Sequence, residues 1–145
     1  MQRVEVQQIV PGGEYEVFAR CADYQRWPEW LNVHSVVLEE IGEETAGVGC
    51  VRTVSIAGIH IREEIVEYTR PDRIGYVMLS GLPVHDYRGT MSFEPCFGGT
   101  RVQWVCEFEP NVPGTGALLR RMTKRLFTDG LEELARQFSP RRHAA

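Results

Sequence analysis

The middle of the chain, residues 33 to 109, alternates polar and apolar residues with a period of two, and this pattern restricts the possible folds most strongly. Turn sequences interrupt it at GEETAGVG, AGIH, RPDR, SGLP and FGG, and divide it into about six strands. The connections between successive strands are short, whereas parallel strands need crossovers of about a dozen residues or more. The pattern therefore predicts an antiparallel meander.

Two strands of this region show which side chains share a face. In TRVQWVCEF, one side carries Val102, Trp104, Cys106 and Phe108. In DYRGTMSF, the corresponding side carries Tyr87, Gly89, Met91 and Phe93. Because successive side chains of a strand point to opposite faces, these two sets predict the buried face of the sheet.

The residues before this region predict one strand and two short helical elements. RVEVQQIV, residues 3 to 10, alternates with Val4, Val6 and Val10 on one side, and PGG ends it. Residues 14 to 22 place Val17, Phe18, Cys21 and Ala22 on one helical face. Asp23 can cap a second, shorter turn. Since a residue before proline disfavours the helical region, we expect the chain to bend at Trp27, before Pro28.

A long amphipathic helix is predicted over residues 115 to 138, with Thr115 as its cap and SP as its end. Its apolar stripe consists of Leu119, Met122, Leu126, Leu131, Leu134 and Phe138. This stripe must cover the inner face of the sheet, which gives an α+β fold with a curved antiparallel sheet of about seven strands around the helix. Gly130 lies inside the helix, which indicates either close approach to the sheet or room for a ligand.

Composition is that of one globular domain, with 145 residues, 43% hydrophobic and 25% charged. We expect the domain to span residues 1 to 139 and residues 140 to 145 to form a disordered tail. No apolar run approaches the roughly 18 residues of a membrane helix, and the N-terminus lacks the apolar stretch of a signal peptide. These features predict a cytoplasmic protein without an integral membrane segment.

Charge and cysteine usage exclude several kinds of site. Residues 111 to 145 carry seven Lys and Arg against three Asp and Glu, but the chain has a net charge of −4, so a solvated helix face is favoured over nucleic-acid binding. The four cysteines show no CxxC spacing, which indicates small buried hydrophobes rather than disulfides or metal ligands. His34 and His60 have no partner at suitable spacing, so neither a metal site nor a Ser-His-Asp set is predicted. No cofactor is predicted.

Ionisable and polar residues that share strand parity with apolar ones are the candidates for chemistry. Glu63 has the parity of Ile65, and Arg52 can pair with it across neighbouring strands. That pair either orients the polar end of a ligand inside a cavity or is a solvated pair near an open edge. Tyr87 is either a hydrogen-bond donor to a ligand carbonyl or a core tyrosine satisfied locally. His85, Asp86, Tyr87 and Arg88 cannot form one cluster, because neighbours in a strand face opposite ways.

Five stretches carry a resemblance to a known family: ADYQRWPEWL, GVGCVRTVSI, YTRPDRIGYVM, SGLPVHDYRGTMSFEP and GGTRVQWVCEFEP. Over residues 3 to 138 the chain resembles the START-like helix-grip superfamily, and within it the polyketide cyclase/dehydrase-like (SRPBCC) proteins. These motifs are architectural rather than catalytic. The resemblance implies a deep, mostly apolar cavity between sheet and helix, in a superfamily that binds lipids, sterols, polyketides, quinones or hormones and only sometimes catalyses a reaction.

The resemblance also implies which residues surround that cavity. The segment with Trp27 and Trp30 would lie beside its mouth, as a hydrophobic plug, as a ligand contact, or as both. Met122, Leu126 and Phe127 would form the stripe of the helix that faces the cavity. The expected ligand-binding residues are Trp30, Val54, Glu63, Ile65, Tyr76, Met78, Tyr87, Met91, Trp104, Met122, Leu126 and Phe127.

Three functions are compatible with this fold. The first is binding or carriage of a hydrophobic small molecule such as a lipid, polyketide or quinone. The second is a polyketide cyclase, aromatase or dehydrase, in which Arg52, Glu63 and Tyr87 hold the chain and move protons. The third is a protein-interaction domain with a packed interior, which uses the basic helix face of Arg120, Arg121, Lys124 and Arg125. A cavity of several hundred Å³ would favour a ligand. The sequence leaves the oligomeric state open, including a homodimer.

Overall fold

The computed structural model describes residues 1–139, and the predicted tail at residues 140 to 145 lies outside the described residues. The order of elements is as predicted, with one strand, two short helical elements, six strands and a long helix. The strands are β1 (Gln2–Val10), β2 (Ser35–Glu40), β3 (Val51–Ile56), β4 (Ile59–Thr69), β5 (Arg73–Ser80), β6 (Val84–Cys96) and β7 (Gly99–Pro110). The helices are α1 (Glu14–Ala22), a 3₁₀ helix (Tyr24–Glu29) and α2 (Gly116–Phe138).

All seven strands form one antiparallel sheet in the order β1-β7-β6-β5-β4-β3-β2. Consecutive strands from β2 to β7 are neighbours, as short hairpin connections require. β1 pairs with β7, so the first strand extends the meander beyond its last strand. The curved sheet and the long C-terminal helix confirm the predicted α+β helix-grip fold.

The alternation in β6 and β7 is confirmed by burial. In β7 the side chains of Val102, Trp104, Cys106 and Phe108 are buried, and the residues between them are only partly so. In β6 the side chains of Met91 and Phe93 are buried in the same way. Met91 lies opposite Trp104 in the register, so the two strands present one continuous apolar surface to the interior.

The core lies between this surface and the helices. The ring of Phe127 on α2 stacks on Trp104, with centroids 3.7 Å apart and planes 5° apart. From α1, the ring of Phe18 meets Tyr68 and Phe93 edge-on at 5.3 and 5.1 Å. Such aromatic contacts add to the burial of apolar area that fixes each helix on the sheet.

The predicted bend at Trp27 is wrong, because the 3₁₀ helix continues through Pro28 to Glu29. The backbone N–H groups of Trp30 and Leu31 both donate to the Trp27 carbonyl, which extends the helical turn past the proline. The Trp27 indole also donates to the Cys21 carbonyl at 2.8 Å, and this buried bond holds Trp27 in place. These contacts outweigh the local preference of a residue before proline.

The predicted side-chain caps are also absent from both described helix starts. Asp23 and Thr115 occupy the cap positions, but neither side chain bonds to the helix that follows. The Thr115 hydroxyl instead donates to the carbonyl of Val112 at 2.7 Å. Thr115 therefore stabilises the loop before α2 rather than the helix itself.

The glycine at position 130 is explained by a close approach of α2 to the loop after the 3₁₀ helix, rather than to the sheet as expected. A Cβ atom at this position would lie 2.5 Å from Leu31 Cδ1 and 3.5 Å from the ring of Trp30. Because both neighbours are buried, α2 can pass over the segment after the 3₁₀ helix only where a side chain is missing.

The described cysteines behave as small apolar side chains. All four are free, with Cys21, Cys50 and Cys106 buried and Cys96 partly buried. Burial raises the pKa of the Cys106 thiol to about 12, so it stays protonated and unreactive. Within residues 1–139 no cluster of His, Cys, Asp and Glu could hold a metal ion, and no helix there is long and apolar enough to cross a membrane. Cytoplasmic location stays a prediction.

Candidate ligand-binding site

Arg52 and Glu63 form an ion pair inside the protein. The register of β3 and β4 places the two residues directly opposite each other. Their side chains are 0% and 6% exposed, and Glu63 Oε1 lies 3.0 Å from Nε and 2.8 Å from Nη2 of Arg52. Of the two alternatives left open by the sequence, the solvated edge pair is therefore wrong, because both charges are removed from water.

Three aromatic rings enclose the Arg52 guanidinium. Its central carbon lies 4.5, 4.2 and 4.6 Å from the ring centroids of Tyr24, Trp27 and Tyr76. Only Nε donates a hydrogen bond to Glu63, and Nη1 and Nη2 have no hydrogen-bond partner among residues 1–139. The guanidinium charge is therefore stabilised by the Glu63 carboxylate and by the ring faces. Burial alone would lower the pKa of Arg52, but Glu63 and the two tyrosines raise it above its usual value. Arg52 is thus a permanent buried cation.

A chain of polar groups continues from Glu63 into the interior. Tyr87 donates its hydroxyl to Glu63 Oε2 at 3.2 Å, and the Trp104 indole donates to the Tyr76 hydroxyl at 2.8 Å. Burial raises the pKa of both Tyr76 and Tyr87 well above the usual value of 10. Both phenols therefore stay protonated at neutral pH and act as neutral hydrogen-bonding groups.

These groups face a small, partly open cavity between the sheet and α2. Its volume is about 50 Å³. Its lining consists of Trp27, Leu31, Val33, Val54, Ile56, Ile61, Glu63, Tyr76, Tyr87, Trp104, Leu126 and Phe127. The wall is mostly apolar, with the polar groups of Glu63, Tyr76 and Tyr87 set into it. This volume holds a water molecule or a few, and lies well below the roughly 300 Å³ of a small-molecule site.

A second cavity, of about 10 Å³, also borders Tyr87. It is lined by Leu82, Val84, Tyr87, Phe108, Leu119 and Thr123. The ring of Tyr87 stacks on Phe108 at 6.4 Å and lies 6.3 Å from the ring of Tyr76. Among the described residues, Tyr87 is the one that belongs to both of these walls.

Seven of the twelve expected ligand-binding residues line the larger cavity, namely Val54, Glu63, Tyr76, Tyr87, Trp104, Leu126 and Phe127. Four others belong to the packed core instead: Trp30, Ile65 and Met91 are buried, and Met78 is partly buried against them. Trp30 faces Gly130 of α2 and the rings of Trp27 and Trp104. Of the three candidate catalytic residues, Arg52 lies behind the rings rather than on the cavity wall.

Met122 is the clearest correction among these residues, because its side chain is 59% exposed. It precedes Phe127 by five residues, which on an α-helix turns it about 140° away from the buried side. Leu126 lies between the two and reaches the cavity. Helical spacing alone did not show that Met122 lies at the exposed edge of the apolar stripe of α2 rather than at its buried centre.

Sequence reasoning missed several wall residues. Ile61 shares the parity of Glu63, and this signal was sufficient to place it in the cavity. Leu31 and Val33 lie in the loop after the 3₁₀ helix, where no periodic pattern exists. The ring of Tyr24 over Arg52 likewise depends on a tertiary contact between the 3₁₀ helix and β3.

Solved structures share this fold over almost the whole chain. XoxI from Bacillus cereus matches with a TM-score of 0.80 and 20% identity over 99% of both chains. A protein from Thermobifida fusca matches with a TM-score of 0.80 and 22% identity, covering 95% of this chain and 93% of the other. A START superfamily protein from Mycobacterium smegmatis has a TM-score of 0.78 and 13% identity, with coverage of 94% and 96%. At these identities the similarity shows the fold alone.

The sequence itself identifies the family. No curated protein matches it significantly. The family model described as "Polyketide cyclase / dehydrase and lipid transport" matches residues 1–139, which confirms the resemblance found from the sequence. Family and fold together support a domain that binds a hydrophobic ligand. The chain belongs to the polyketide cyclase/dehydrase and lipid transport family.

Proposed function

We propose that the domain binds an uncharged hydrophobic small molecule that carries a hydroxyl or N–H group. One observation supports this most directly: the apolar cavity under α2 has its polar groups, Glu63, Tyr76 and Tyr87, set together in one wall. Apolar walls with a few fixed polar groups are typical of small-molecule sites. The apolar part of the ligand would lie against Trp104, Leu126 and neighbouring side chains.

The charges of the wall favour a neutral ligand. Glu63 offers a carboxylate oxygen that accepts hydrogen bonds, and Arg52 balances its charge from behind the rings. A ligand hydroxyl could donate to Glu63 Oε2 and accept from a tyrosine. A ligand carboxylate would face the Glu63 carboxylate across a medium of low polarity, and this repulsion would disfavour a fatty acid.

The ligand requires a larger cavity than the closed structure contains. Tyr87 lines both spaces, and Leu126 and Leu119 of α2 border one each. Movement of Tyr87 and of the first turns of α2 would join these spaces. The closed form is then the state that the free protein prefers, and the ligand stabilises a more open one.

The proposal is tested first by native mass spectrometry of the purified protein, with extraction of any released compound. The stripped protein is then titrated with a long-chain alcohol and with the fatty acid of the same length. We expect the alcohol to raise the melting temperature and the acid to raise it less. Leu126→Trp fills the cavity and should abolish the shift, whereas Leu118→Trp, on the exposed side of the same helix, should preserve it.

The proposal would be contradicted if the native mass equals that of the protein alone and no neutral apolar compound raises the melting temperature. That result would favour the interaction domain, which the small volume of the cavity also fits. Equal shifts in the Leu126→Trp and Leu118→Trp variants would place binding outside the cavity. A larger shift with the acid than with the alcohol would overturn only the preference for uncharged ligands.

A cyclase or dehydrase activity is a second candidate, favoured by the contact between Glu63 and Tyr87. A carboxylate and a protonated phenol at 3.2 Å can act as base and acid toward one substrate. Burial keeps Tyr87 protonated, so its hydroxyl can donate a hydrogen bond that polarises a substrate carbonyl. Loss of turnover of a poly-β-keto substrate in both Glu63→Gln and Tyr87→Phe, with binding retained, would support this activity. Unchanged turnover in both variants would exclude it.

A further inference from the structure

The first half of α2 exposes apolar and basic side chains side by side. Leu118 and Met122 are 57% and 59% exposed, although both are large apolar residues inside a helix. The same turns carry four exposed or partly exposed cations, Arg120, Arg121, Lys124 and Arg125. Hydrophobic burial alone does not explain this face, because the side of α2 that packs on the sheet carries other residues.

Three of the four cations in these turns have no ion pair within residues 1–139. Within residues 1–139 only Arg125 makes an ion pair, with Asp129 at 3.6 Å, and none forms for Arg120, Arg121 or Lys124. Residues 111 to 128 contain no Asp or Glu, while the chain as a whole has a net charge of −4. A quarter of all its Lys and Arg, four of 16, therefore lie within six consecutive residues of an acidic protein. Such an arrangement attracts an anionic partner.

Leu118, Met122, Arg121 and Arg125 share one side of the helix, and Lys124 lies at its edge. Arg120 is turned about 160° from both Leu118 and Met122 and lies outside this face. On a helix, Leu118, Met122 and Arg125 follow one another at intervals of four and three, and Arg121 lies beside them. The loop before α2 adds Val112, which is half exposed, and the N–H of Asn111 bonds to the carbonyl of Pro83 at 2.9 Å. The connection between β5 and β6, which contains Leu82, thus lies beside the start of α2.

We propose that this face, formed by Val112, Leu118, Met122, Arg121, Lys124 and Arg125, docks on an anionic lipid bilayer. A basic helix with exposed apolar side chains fits the plane of the membrane interface, where the apolar groups enter the acyl region and the cations meet the headgroups. A polyanion such as a nucleic acid would leave Leu118 and Met122 without an apolar environment. An anionic bilayer offers an apolar environment to the exposed apolar side chains and negative charge to the cations.

The docking face borders both cavities. Leu119 and Thr123 line the smaller one and Leu126 the larger one, from the same turns that carry Leu118 and Met122. A bilayer that engages these turns would therefore act on the part of the helix that covers the proposed site. This inference goes beyond the proposed function and does not depend on it, since docking needs no ligand.

The test is co-sedimentation of the full chain with vesicles of phosphatidylcholine, with and without phosphatidylglycerol, at low and high salt. We expect binding to require phosphatidylglycerol and to fall with salt. Each cation removed should weaken binding about fivefold, so Arg121→Gln with Lys124→Gln should weaken it roughly 25-fold. Leu118→Ser with Met122→Ser should also weaken it, because the inserted apolar area is lost.

Matched controls come from β6 and the turn after it, outside α2. Arg88→Gln removes an exposed cation of β6, and Phe97→Ser removes a fully exposed aromatic residue from the β6–β7 turn. Neither should change vesicle binding, and all variants should unfold at the same temperature as the parent.

Three results would overturn the proposal. The first is no binding of the parent chain to phosphatidylglycerol vesicles. The second is equal loss of binding in the variants of α2 and in the controls. The third is loss of binding only on removal of the cations, with Leu118→Ser and Met122→Ser inert, which would identify a general polyanion surface. None of these results bears on ligand binding in the cavity.

Discussion

The two halves of α2 differ sharply although they belong to one continuous helix. From Phe127 to Phe138 the helix buries Phe127, Leu131 and Leu134 against the sheet, and Gly130 lets it approach Leu31. From Gly116 to Leu126 only Gly116 is fully buried. The second half is therefore an anchor, while the first half is a cover over two small cavities. Segments with few buried contacts open at the lowest cost in free energy.

The anchored half rests on an aromatic cluster that also holds the Arg52 cation. Phe127 stacks on Trp104, Trp104 contacts Trp27 at 5.6 Å, and Trp27 covers Arg52. Apolar packing and a buried charge thus depend on the same rings. The cover half has no comparable support, because its partly buried side chains, Leu119 and Leu126, face cavities. We therefore expect the second half of α2 to set the stability of the fold and the first half to control access to the cavities.

The largest effect is expected from Arg52→Met, which leaves the Glu63 carboxylate without its partner beneath the anchored half. Loss of one member of a buried pair lowers the free energy of unfolding by about 3–5 kcal/mol. The double variant Arg52→Met, Glu63→Met should recover most of this loss, since it removes both charges. Urea unfolding of the two variants measures the difference. A single variant as stable as the double one would contradict the pairing.

A somewhat smaller effect is expected when the two halves of α2 are truncated in parallel. Leu131 is fully buried, and Leu131→Ala should lower the free energy of unfolding by about 2–5 kcal/mol. Leu118 is exposed, and Leu118→Ala should change it by less than about 0.5 kcal/mol. Urea unfolding at constant pH gives both values. Similar losses in the two variants would mean that the first half is anchored as firmly as the second.

The same contrast shows what a sequence can predict in this fold. The strand alternation of β6 and β7 was read correctly, because burial in a strand depends on parity alone. The pairing of Arg52 with Glu63 followed from hairpin register. Burial along α2 was harder to predict, since an apolar stripe gives the side of a helix but not how closely each turn approaches the sheet. Met122 was misplaced for this reason.

The cavity was predictable in position but not in size. Seven of its wall residues were named from parity and resemblance, whereas Leu31 and Val33 come from a loop without periodicity. Its volume depends on how side chains such as Tyr87 and Phe127 fill the space. That filling is decided by packing between distant segments, which no local pattern records.

A moderate effect is expected from Tyr87→Phe, which removes the hydroxyl of the residue that lines both cavities. The loss of its hydrogen bond to Glu63 should lower the free energy of unfolding by about 1 kcal/mol. Tyr24→Phe, which removes a hydroxyl that bonds to the Ala46 carbonyl at 2.8 Å far from the cover, should cost a similar amount. Only Tyr87→Phe should alter ligand affinity. Equal affinities in the two variants would remove Tyr87 from the site.

A similarly modest effect is expected from Gly130→Ala, where two terms of opposite sign compete. Alanine favours the helix by about 1 kcal/mol relative to glycine. The new methyl group would lie 2.5 Å from Leu31 Cδ1, however, and overpacking a buried contact typically costs about 1–3 kcal/mol. We therefore expect a net loss of about 1 kcal/mol in urea unfolding, which Leu31→Ala in the same chain should relieve in part. A net gain would show that Leu31 yields easily and that the anchor is less closely packed than the contact distance indicates.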